Sequence, residues 1–308
     1  MITVIFSSYN GERTVGTTLE AFCQLTAPPG GWELIAVDNG SSDSTSRIMQ
    51  SFLDRLPLRT MVVTARGKNN AINAALALAH GDLIVLTDDD VVPEPKWLCE
   101  LRQCADAHPE FELFGGAIVP RWPRQPEKWI LTSVPHGMVY AATAPGLPSG
   151  EIEHTLIWGP NMALRQSVFA RGLRMNGAVG PDGTENYAMG SETELTTRLK
   201  GMGCRAWFCA NAKVEHLVRE NQLSRRWILK RFFRKGRSDY LLEYGSSRIR
   251  RTFFGVDRWI YRKLVASLVS ATGYWLTGNV DKALTALSHY YDARGNLYQA
   301  RLMRNKDA

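Results

Sequence analysis

The sequence predicts an α/β protein in which a doubly wound, mostly parallel central sheet is followed by a helical C-terminal extension. Three observations support this prediction. Short apolar runs alternate with helical patterns over the first 90 residues, polar turn residues follow each run, and the pattern is helical from Leu223 onward. Of the 308 residues, 44% are hydrophobic and 22% charged, which is typical of a globular protein and excludes collagen, coiled coils and disorder.

Predicted strands and helices alternate in the first part of the chain. The strands cover residues 3–7, 33–37, 59–64 and 82–87, and the helices between them cover residues 15–25, 44–56 and 69–79. This order implies parallel strands, and ligands of such sheets bind where the strands end. We therefore expect the functional site at the polar segments that follow the strands.

The pattern loosens after residue 93. Residues 120–150 contain six prolines and are expected to form long loops over the sheet. Helices are predicted over residues 162–171 and 191–202, and a strand over residues 205–208. The helices after Leu223 should break near residues 245–247 and again near Gly278.

The cysteines and the apolar segments indicate the cellular compartment in which the protein is expected. Five cysteines without C-x-x-C spacing predict neither a disulfide framework nor a zinc site, and favour a reducing compartment. No basic segment precedes the first apolar run, so no signal peptide is expected. The longest apolar stretch, residues 264–276, is too short to cross about 30 Å of hydrocarbon. We expect a cytoplasmic protein without a transmembrane helix.

Three consecutive carboxylates, Asp88, Asp89 and Asp90, follow the apolar run at residues 83–87. At the end of a buried strand they would repel one another unless a cation neutralised them. Mg²⁺ or Mn²⁺, held by carboxylate and phosphate oxygens, would do so. The alternative is a solvated acidic turn that binds no metal.

Six motifs stand out along the chain: Ser7-Ser8-Tyr9-Asn10-Gly11-Glu12, Val37-Asp38-Asn39-Gly40, Gly67-Lys68-Asn69-Asn70, Thr87-Asp88-Asp89-Asp90, Gly159-Pro160-Asn161 and Gly190-Ser191-Glu192-Thr193-Glu194. Taken in order, they resemble those of the family-two nucleotide-sugar glycosyltransferases, which are inverting enzymes with the GT-A fold. Their joint occurrence is more specific than any one of them. The resemblance implies a GT-A domain at residues 1–220, with a nucleotide-sugar half at 1–118 and an acceptor half at 119–220. A basic helical extension would then cover residues 221–308.

The resemblance also implies roles for single residues, with Mn²⁺ or Mg²⁺ as the cofactor. Donor contacts would come from Ser7, Tyr9, Glu12, Asp38, Lys68, Asp88 and Asp89, and metal contacts from Asp90 and His216. Asp38 and Tyr9 would meet the base, Asp88 the ribose and Lys68 the diphosphate. Three alternatives remain open: a packed core tyrosine at Tyr9, a turn-capping aspartate at Asp38 and a hydrogen-bonded structural histidine at His216.

An inverting transfer needs one general base for the acceptor hydroxyl. The resemblance places it in an acidic pair that opens a helix, which here reads Ser191-Glu192, so Glu192 is the predicted base. Glu194 lies about 200° further around the helix and should not face the same ligand. Either glutamate could instead favour the helix N-terminus electrostatically. Asp182 or Glu185, in the preceding Gly-rich loop, could also supply the base.

The turn formed by Trp158, Gly159 and Asn161 resembles the acceptor side of the family's site. Trp158 could stack on the face of a sugar ring. A buried tryptophan with a structural role is the alternative.

The net charge of +7 comes from one segment. Between Lys213 and Arg262, 14 basic residues stand against 5 acidic ones. Aromatic residues interleave with these cations over residues 223–262, which suits a helix at anionic lipid headgroups. The alternative is an ordinary amphipathic helix packed on the catalytic domain. No nucleic-acid-binding motif accompanies the charge, so nucleic acid is not an expected partner. We predict a peripheral protein at the inner face of a membrane.

These interpretations combine into a metal-dependent, inverting hexosyltransferase. It would move a sugar from a nucleotide-sugar donor, UDP-linked by expectation, to a glycan or lipid-linked acceptor. A nucleotidyltransferase on a similar sheet is one alternative. A non-catalytic sugar- or nucleotide-binding protein is another, because Ser191 replaces one carboxylate of the acidic pair.

Overall fold

A computed structural model describes residues 1–243 and 252–304. The chain divides into two compact units. The first comprises Met1–Trp122, His136–Gly177 and Ser191–Val218, and the second comprises Pro123–Pro135, Ala178–Gly190 and the chain from Arg219 onward. Two short segments ahead of residue 219 thus belong to the second unit, so no single boundary along the chain separates the two.

The first unit is built on a nine-stranded mixed sheet. Its strands are β1 (Ile2–Ser8), β2 (Trp32–Asp38), β3 (Leu58–Val62), β4 (Leu83–Leu86), β5 (Val91–Pro93), β6 (Leu113–Arg121), β7 (Gly150–Glu151), β8 (Met162–Arg165) and β9 (Ala206–Leu217). The order across the sheet is β3-β2-β1-β4-β8-β6-β9-β5, and β7 also pairs with β9. β1 to β4 are parallel, whereas β8 is antiparallel to β4 and β6. The predicted doubly wound α/β class is confirmed.

The described residues contain eleven α-helices, which are α1 (Val15–Phe22), α2 (Thr45–Gln50), α3 (Lys68–Leu76), α4 (Trp97–Ala107), α5 (Lys128–Ser133), α6 (His136–Tyr140), α7 (Gln166–Ala170), α8 (Ser191–Gly201), α9 (Arg225–Glu243), α10 (Arg258–Leu276) and α11 (Val280–Arg304). In the first unit the sheet has a hydrophobic cluster on each face. Ile2, Val4 and Phe6 of β1 pack into one cluster, and Ile5 packs into the other. The strand is continuously apolar because both of its faces are covered.

The prediction of a helix over residues 162–171 was wrong at its start. Residues Met162–Arg165 form β8, in the middle of the sheet, and only Gln166–Ala170 are helical. Three buried apolar residues open this segment, and such a short run is compatible with either a strand or a helix. Pairing with β4 and β6 makes it a strand. The strand predicted at residues 205–208 is longer than expected, since β9 continues to Leu217.

The second unit is organised by α9, α10 and α11, with a short hairpin formed by β10 (Thr252–Phe253) and β11 (Val256–Asp257). Glycines allow α9 and α11 to approach closely. A Cβ at Gly236 would lie 1.9 Å from the Asp292 carbonyl oxygen, and one at Gly295 would lie 2.0 Å from that of Phe233. The predicted break near Gly278 is confirmed between α10 and α11. The one predicted near residues 245–247 lies outside the described residues.

In the first half of α9, three apolar side chains are buried and not exposed as an interfacial helix requires. Ile228, Leu229 and Phe232 are buried, and Lys230 forms an ion pair with Glu185 of the same unit (2.6 Å). These contacts favour a packed amphipathic helix for this part of the basic segment. Within residues 1–243 and 252–304, no helix has both the length and the apolar content that crossing a bilayer requires.

Candidate active site

Several of the predicted donor residues meet at the carboxyl edge of the first unit's sheet. β1 ends at Ser8, β2 ends at Asp38, and the acidic turn follows β4. The start of this turn is fixed, because the Thr87 hydroxyl donates a hydrogen bond to the Pro160 carbonyl oxygen (2.7 Å). Thr87 N–H also donates to the Ile5 carbonyl oxygen (3.0 Å). The three carboxylates therefore follow a buried strand whose end is held in place by these two hydrogen bonds.

Asp88, Asp90 and His216 form a group of potential metal ligands, with one ligand atom of each lying within 4.8 Å of the others. His216 reaches the group because β9 pairs with β5, where it lies opposite Val91. Its Nδ1–H donates to the Tyr140 carbonyl oxygen (2.7 Å), and its Nε2 lies 3.3 Å from Asp90 Oδ1. A carbonyl acceptor on Nδ1 directs Nε2 toward the carboxylate, as is common for metal-binding histidines.

The two carboxylates of this group make their surroundings favourable for a positive charge, as the pKa of His216 indicates. Burial by itself lowers the pKa of His216, but the charge of Asp90 and a hydrogen bond to it outweigh burial, so the pKa is raised. Two neighbouring carboxylates are ligands that suit Mg²⁺ or Mn²⁺. The residues present thus fit the predicted cofactor, and the predicted metal pair Asp90 and His216 is joined by Asp88.

Lys68, the first residue of α3, lies between the acidic turn and Glu192. Its Nζ contacts Asp88 Oδ1 and is 3.5 Å from Glu192 Oε1. Burial lowers the pKa of Lys68, but the charges of Asp88 and Glu192 raise it above the ordinary value. Lys68 is therefore a permanent cation that connects the potential metal ligands to the predicted base.

Asn39, which the sequence interpretation did not select, holds the segment that carries Lys68. Its amide donates to the carbonyl oxygens of Val63 and Ala65 (2.8 Å each), and its Oδ1 accepts from the Gly67 N–H (2.9 Å). These bonds tie the end of β2 to the loop after β3 and to the start of α3. The signal available in the sequence was its place beside Asp38 at a strand end.

Glu192 lies in the first turn of α8, with its carboxylate over Gly159. A Cβ at Gly159 would lie 2.3 Å from Glu192 Oε1, so this approach requires glycine. Glu194 has other neighbours: it forms an ion pair with Arg198 (2.8 Å) and accepts from the Asn176 amide (3.2 Å). The two glutamates face different surroundings, as their spacing predicts.

The other two candidate bases, Asp182 and Glu185, belong to the second unit. Asp182 accepts from the N–H (2.8 Å) and hydroxyl (2.6 Å) of Thr184. Glu185 is paired with Lys230, as described above. Both carboxylates thus make contacts within their own unit.

The residues predicted to meet the base differ in exposure. Tyr9 is 50% exposed, which excludes a core tyrosine. Asp38 is buried and accepts from the Ser41 N–H (2.8 Å), so it caps the turn with one oxygen. Glu12 accepts from the Ser44 N–H (3.2 Å) just before α2. A second carboxylate oxygen remains on each acid, so the turn contacts and donor binding are compatible.

Asp89 is not a member of the ligand group. Its carboxylate accepts a hydrogen bond from the Ser8 hydroxyl. Gly11 makes room for this contact, since a Cβ there would lie 2.2 Å from Asp89 Oδ2. Asp89 therefore ties the acidic turn to the end of β1, and Ser8 is a second residue that the sequence interpretation missed. The signal for Ser8 was its position next to Ser7 in the first motif.

Asn161, a predicted acceptor residue, makes hydrogen bonds within the first unit. Its side chain is fully buried and accepts from Trp97 Nε1 (2.9 Å). Its amide also donates to the carbonyl oxygens of Ala117 (3.0 Å) and Ala212 (2.8 Å). A short polar side chain that satisfies buried partners is structural. Trp158 is half-buried, and a Cβ at Gly137 would lie 2.6 Å from its ring.

Comparisons with known proteins agree with this geometry. The sequence profile of the family described as "Glycosyl transferase family 2" matches residues 3–171, more than half of the chain. The chain belongs to glycosyl transferase family 2. It is 24% identical over 256 residues to the glucosyl-dolichyl phosphate glucuronosyltransferase of Haloferax volcanii, with 79% of this chain and 77% of that protein covered.

Solved structures of glycosyltransferases share the fold. The mannosyltransferase PcManGT from Pyrobaculum calidifontis, in complex with GDP-Man and Mn²⁺, has a TM-score of 0.61 and 20% identity, covering 96% of this chain and 87% of that one. S. aureus TarS 1–349 in complex with UDP has a TM-score of 0.56 and 15% identity, covering 94% and 90%. At such identities the likeness shows the fold, which is the predicted GT-A type.

Membership of glycosyl transferase family 2 confirms the resemblance and the prediction of a glycosyltransferase. Within the first unit, the structure brings together Lys68, Asp88, Asp90, Glu192 and His216. The donor, metal and base roles of these residues stay predictions.

Proposed function

We propose that this family 2 enzyme transfers a hexosyl group from a UDP-sugar to a lipid-linked or glycan acceptor, with inversion and with a divalent cation. The observation that carries the proposal is the group Asp88, Asp90 and His216 beside Lys68 at the carboxyl edge of the sheet. A diphosphate brings negative charge to an edge that is already acidic, and a divalent cation would bridge the two.

Asp90 and His216 would hold Mn²⁺ or Mg²⁺, with Asp88 shared between this site and the donor ribose. When bound, the ion would neutralise charge on the departing diphosphate. Lys68 supplies a second, permanent positive charge at the same place, because Asp88 and Glu192 keep it protonated. Ser7, Tyr9, Glu12 and Asp38 would contact the nucleoside from the ends of β1 and β2.

Glu192 would accept the proton of the acceptor hydroxyl. The acceptor oxygen then forms a bond to the anomeric carbon while the bond to the diphosphate oxygen breaks, so the configuration inverts and a nucleoside diphosphate leaves. Lys68 Nζ lies 3.5 Å from Glu192 Oε1, which places this cation beside the proposed base. Trp158 and Gly159 would line the acceptor side.

Two of the proposed partners rest on named relatives. The Haloferax relative is, by its name, a glucosyl-dolichyl phosphate glucuronosyltransferase, and this supports a lipid-linked acceptor here. The TarS complex holds UDP and the PcManGT complex holds GDP-Man with Mn²⁺. We favour UDP because Asp38 offers a carboxylate to an imide N–H of uracil.

The test is calorimetric titration of the full chain with UDP and with GDP, each in Mn²⁺ and in EDTA. We expect binding of UDP that requires Mn²⁺. Preference for GDP would change the assigned donor to a GDP-sugar. Equal affinity for UDP in EDTA and in Mn²⁺ would contradict the proposed metal dependence. Product analysis with a UDP-sugar then separates the alternatives, since release of pyrophosphate would indicate a nucleotidyltransferase and tight binding without turnover a binding protein.

A further inference from the structure

From Val265 to Leu276, the outward side of α10 is more apolar than the side that packs inward. Exposed fractions are 63% for Val265, 66% for Val269 and 80% for Leu276, against 9% for Ser267 and for Ala271. We define the outer face of α10 as Val265, Leu268, Val269, Trp275 and Leu276, all of which are exposed. A helix that faces water normally has the opposite arrangement, with its large apolar residues inward.

Ile260 packs inward in the first turn of α10, and from Ser267 onward the inward residues are small. Ser267 and Ala271 lie one helical turn apart on the buried side, and the Ser267 hydroxyl is satisfied by the Lys263 carbonyl oxygen (2.6 Å). Small residues at helix contacts, with aliphatic side chains outward, are typical of helices whose surroundings are lipid. A contiguous apolar surface of this kind marks an interaction site rather than a water-exposed one.

The charge on α10 indicates what lies against this face. Residues 258–276 contain no Asp or Glu. Arg258 and Arg262 are exposed and precede Val265 by seven and three residues, which places them on the same side of the helix. From residue 264 to residue 280 there is no charged residue of either sign. The face is thus cationic at its N-terminal end and apolar along the rest.

An anionic bilayer complements this arrangement better than a second copy of the chain would. Its phosphates would pair with Arg258 and Arg262, and its acyl chains would receive the aliphatic residues. A second copy would present the same cations and, on α10 itself, no carboxylate to pair with them. Trp275, near the far end, has the amphipathic ring that favours the headgroup boundary.

We propose that the outer face of α10 docks on the surface of an anionic lipid bilayer. The predicted segment, residues 223–262, includes α9, where Ile228 and Phe232 are buried. The proposed contact at residues 258–276 shares only residues 258–262 with that segment. Of the segment first considered, residues 244–251 lie outside the described residues. Docking at α10 is independent of the catalytic roles proposed above, although it would bring the enzyme to a surface where lipid-linked acceptors reside.

The experiment is flotation of the full chain with vesicles of phosphatidylglycerol and, in parallel, of phosphatidylcholine. We compare the wild type with the triple variant Val265→Ser, Val269→Ser, Leu276→Ser. Removing three side chains from the contact should lower partitioning into anionic vesicles about tenfold or more. The matched control is Leu53→Ser, Leu78→Ser, which removes exposed apolar side chains from the first unit and should partition like the wild type.

The cations are tested separately. Arg258→Gln and Arg262→Gln should each weaken binding to phosphatidylglycerol about fivefold and leave the weak binding to phosphatidylcholine unchanged. Brominated acyl chains should quench tryptophan fluorescence in the wild type and quench less in Trp275→Phe. Glu192→Gln, whatever its activity, should float like the wild type, so a failed catalytic proposal would not affect this readout.

Two results would overturn the proposal. One is flotation that is equal for the wild type and the triple variant. The other is a wild-type dimer in light scattering that the triple variant splits, without vesicle binding by either, which would assign the face to a second copy. Far-UV circular dichroism serves as the folding control in all variants.

Discussion

Two equally buried aspartates, one in each unit, have different surroundings. Asp292 of the second unit is 5% exposed, forms an ion pair with Lys263 and lies 3.8 Å from Lys235. Asp90 of the first unit is 7% exposed, but it shares a ligand group with the carboxylate of Asp88 and with His216. Two lysines balance the charge of Asp292, whereas Asp90 lies beside a second carboxylate, that of Asp88.

The difference teaches which buried acid to regard as functional. A carboxylate between two lysines is compensated within the protein and holds helices together. Two carboxylates in one group repel each other, and although Lys68 contacts Asp88 and His216 lies near Asp90, the grouping of two carboxylates with a histidine indicates a binding site. Burial alone would not have distinguished Asp90 from Asp292.

The largest expected effect concerns the predicted base. Glu192→Gln should lower turnover about 10²–10⁴-fold, because only the proton transfer is lost. UDP affinity should change little, and Glu194→Gln, whose carboxylate is paired with Arg198, should keep most of the activity. Single-turnover transfer to an identified acceptor measures this. Wild-type rates in Glu192→Gln would remove Glu192 from the role.

The second-largest effect is expected when the same substitution, aspartate to asparagine, is made at each of the two buried aspartates. Asp90→Asn should lower UDP affinity in Mn²⁺ about a hundredfold, close to the level in EDTA, because metal-mediated neutralisation is worth several kcal/mol. Asp292→Asn, equally buried, is the matched control and should leave UDP affinity unchanged. Calorimetry of both variants decides. Equal losses in the two would mean that burial, and not the ligand group, explains the effect.

The third prediction concerns Glu33, a partly buried acid of the first unit, and tests whether such an acid can be purely structural. Burial by itself raises the pKa of Glu33. Hydrogen bonds from the His80 N–H, from Thr3 and from Arg59 outweigh burial and lower the pKa to about 2. Because the folded pKa lies below the unfolded value of 4.5, this stabilisation is present above pH 4.5 and is lost as the pH falls toward 2. It amounts to about 3 kcal/mol at neutral pH.

Urea unfolding from pH 7 to pH 3 measures this effect. Glu33→Gln should lose less stability over the acid range than the wild type. Glu20→Gln, which breaks an exposed pair with Arg55, should follow the wild-type curve closely. Parallel acid profiles for the wild type and Glu33→Gln would contradict the structural role.

The smallest expected effect is on the stability of the second unit. Asp292→Asn leaves Lys235 and Lys263 without their shared counter-charge and should lower the free energy of unfolding by about 1–2 kcal/mol. The value is below that of a fully buried pair because both lysines are more than a third exposed. Chemical denaturation measures it. An unchanged stability would mean that the packing at Gly236 and Gly295, rather than the ion pairs, holds the helices.

Local patterns were sufficient where the local and global preferences of the chain agree. β1 to β4 were predictable because each is a short apolar run bounded by turn residues, and because alternation with helices implies parallel order. β8 could not be predicted as a strand, since the run Met162-Ala163-Leu164 fits a helix equally well. Its identity depends on pairing with β4, about 80 residues earlier in the chain.

The candidate site divides in the same way. The sequence by itself selected Asp88 and Asp90 as candidates, because three carboxylates follow an apolar strand and their motif resembles that of the family. It also placed Glu192 at a helix start. Only the tertiary structure decided that His216 meets Asp90, that Lys68 lies between Asp88 and Glu192, and that Asn161 is consumed by buried partners.

The basic C-terminal segment shows the physical reason most clearly. Composition determined that cations and apolar residues concentrate there, since charge and hydropathy are properties of each residue. Which apolar face turns inward was decided by packing: α9 buries Ile228 and Phe232, whereas α10 turns Val269 and Leu276 outward. The periodicity of a helix defines its faces, but burial depends on which other elements the chain brings against them.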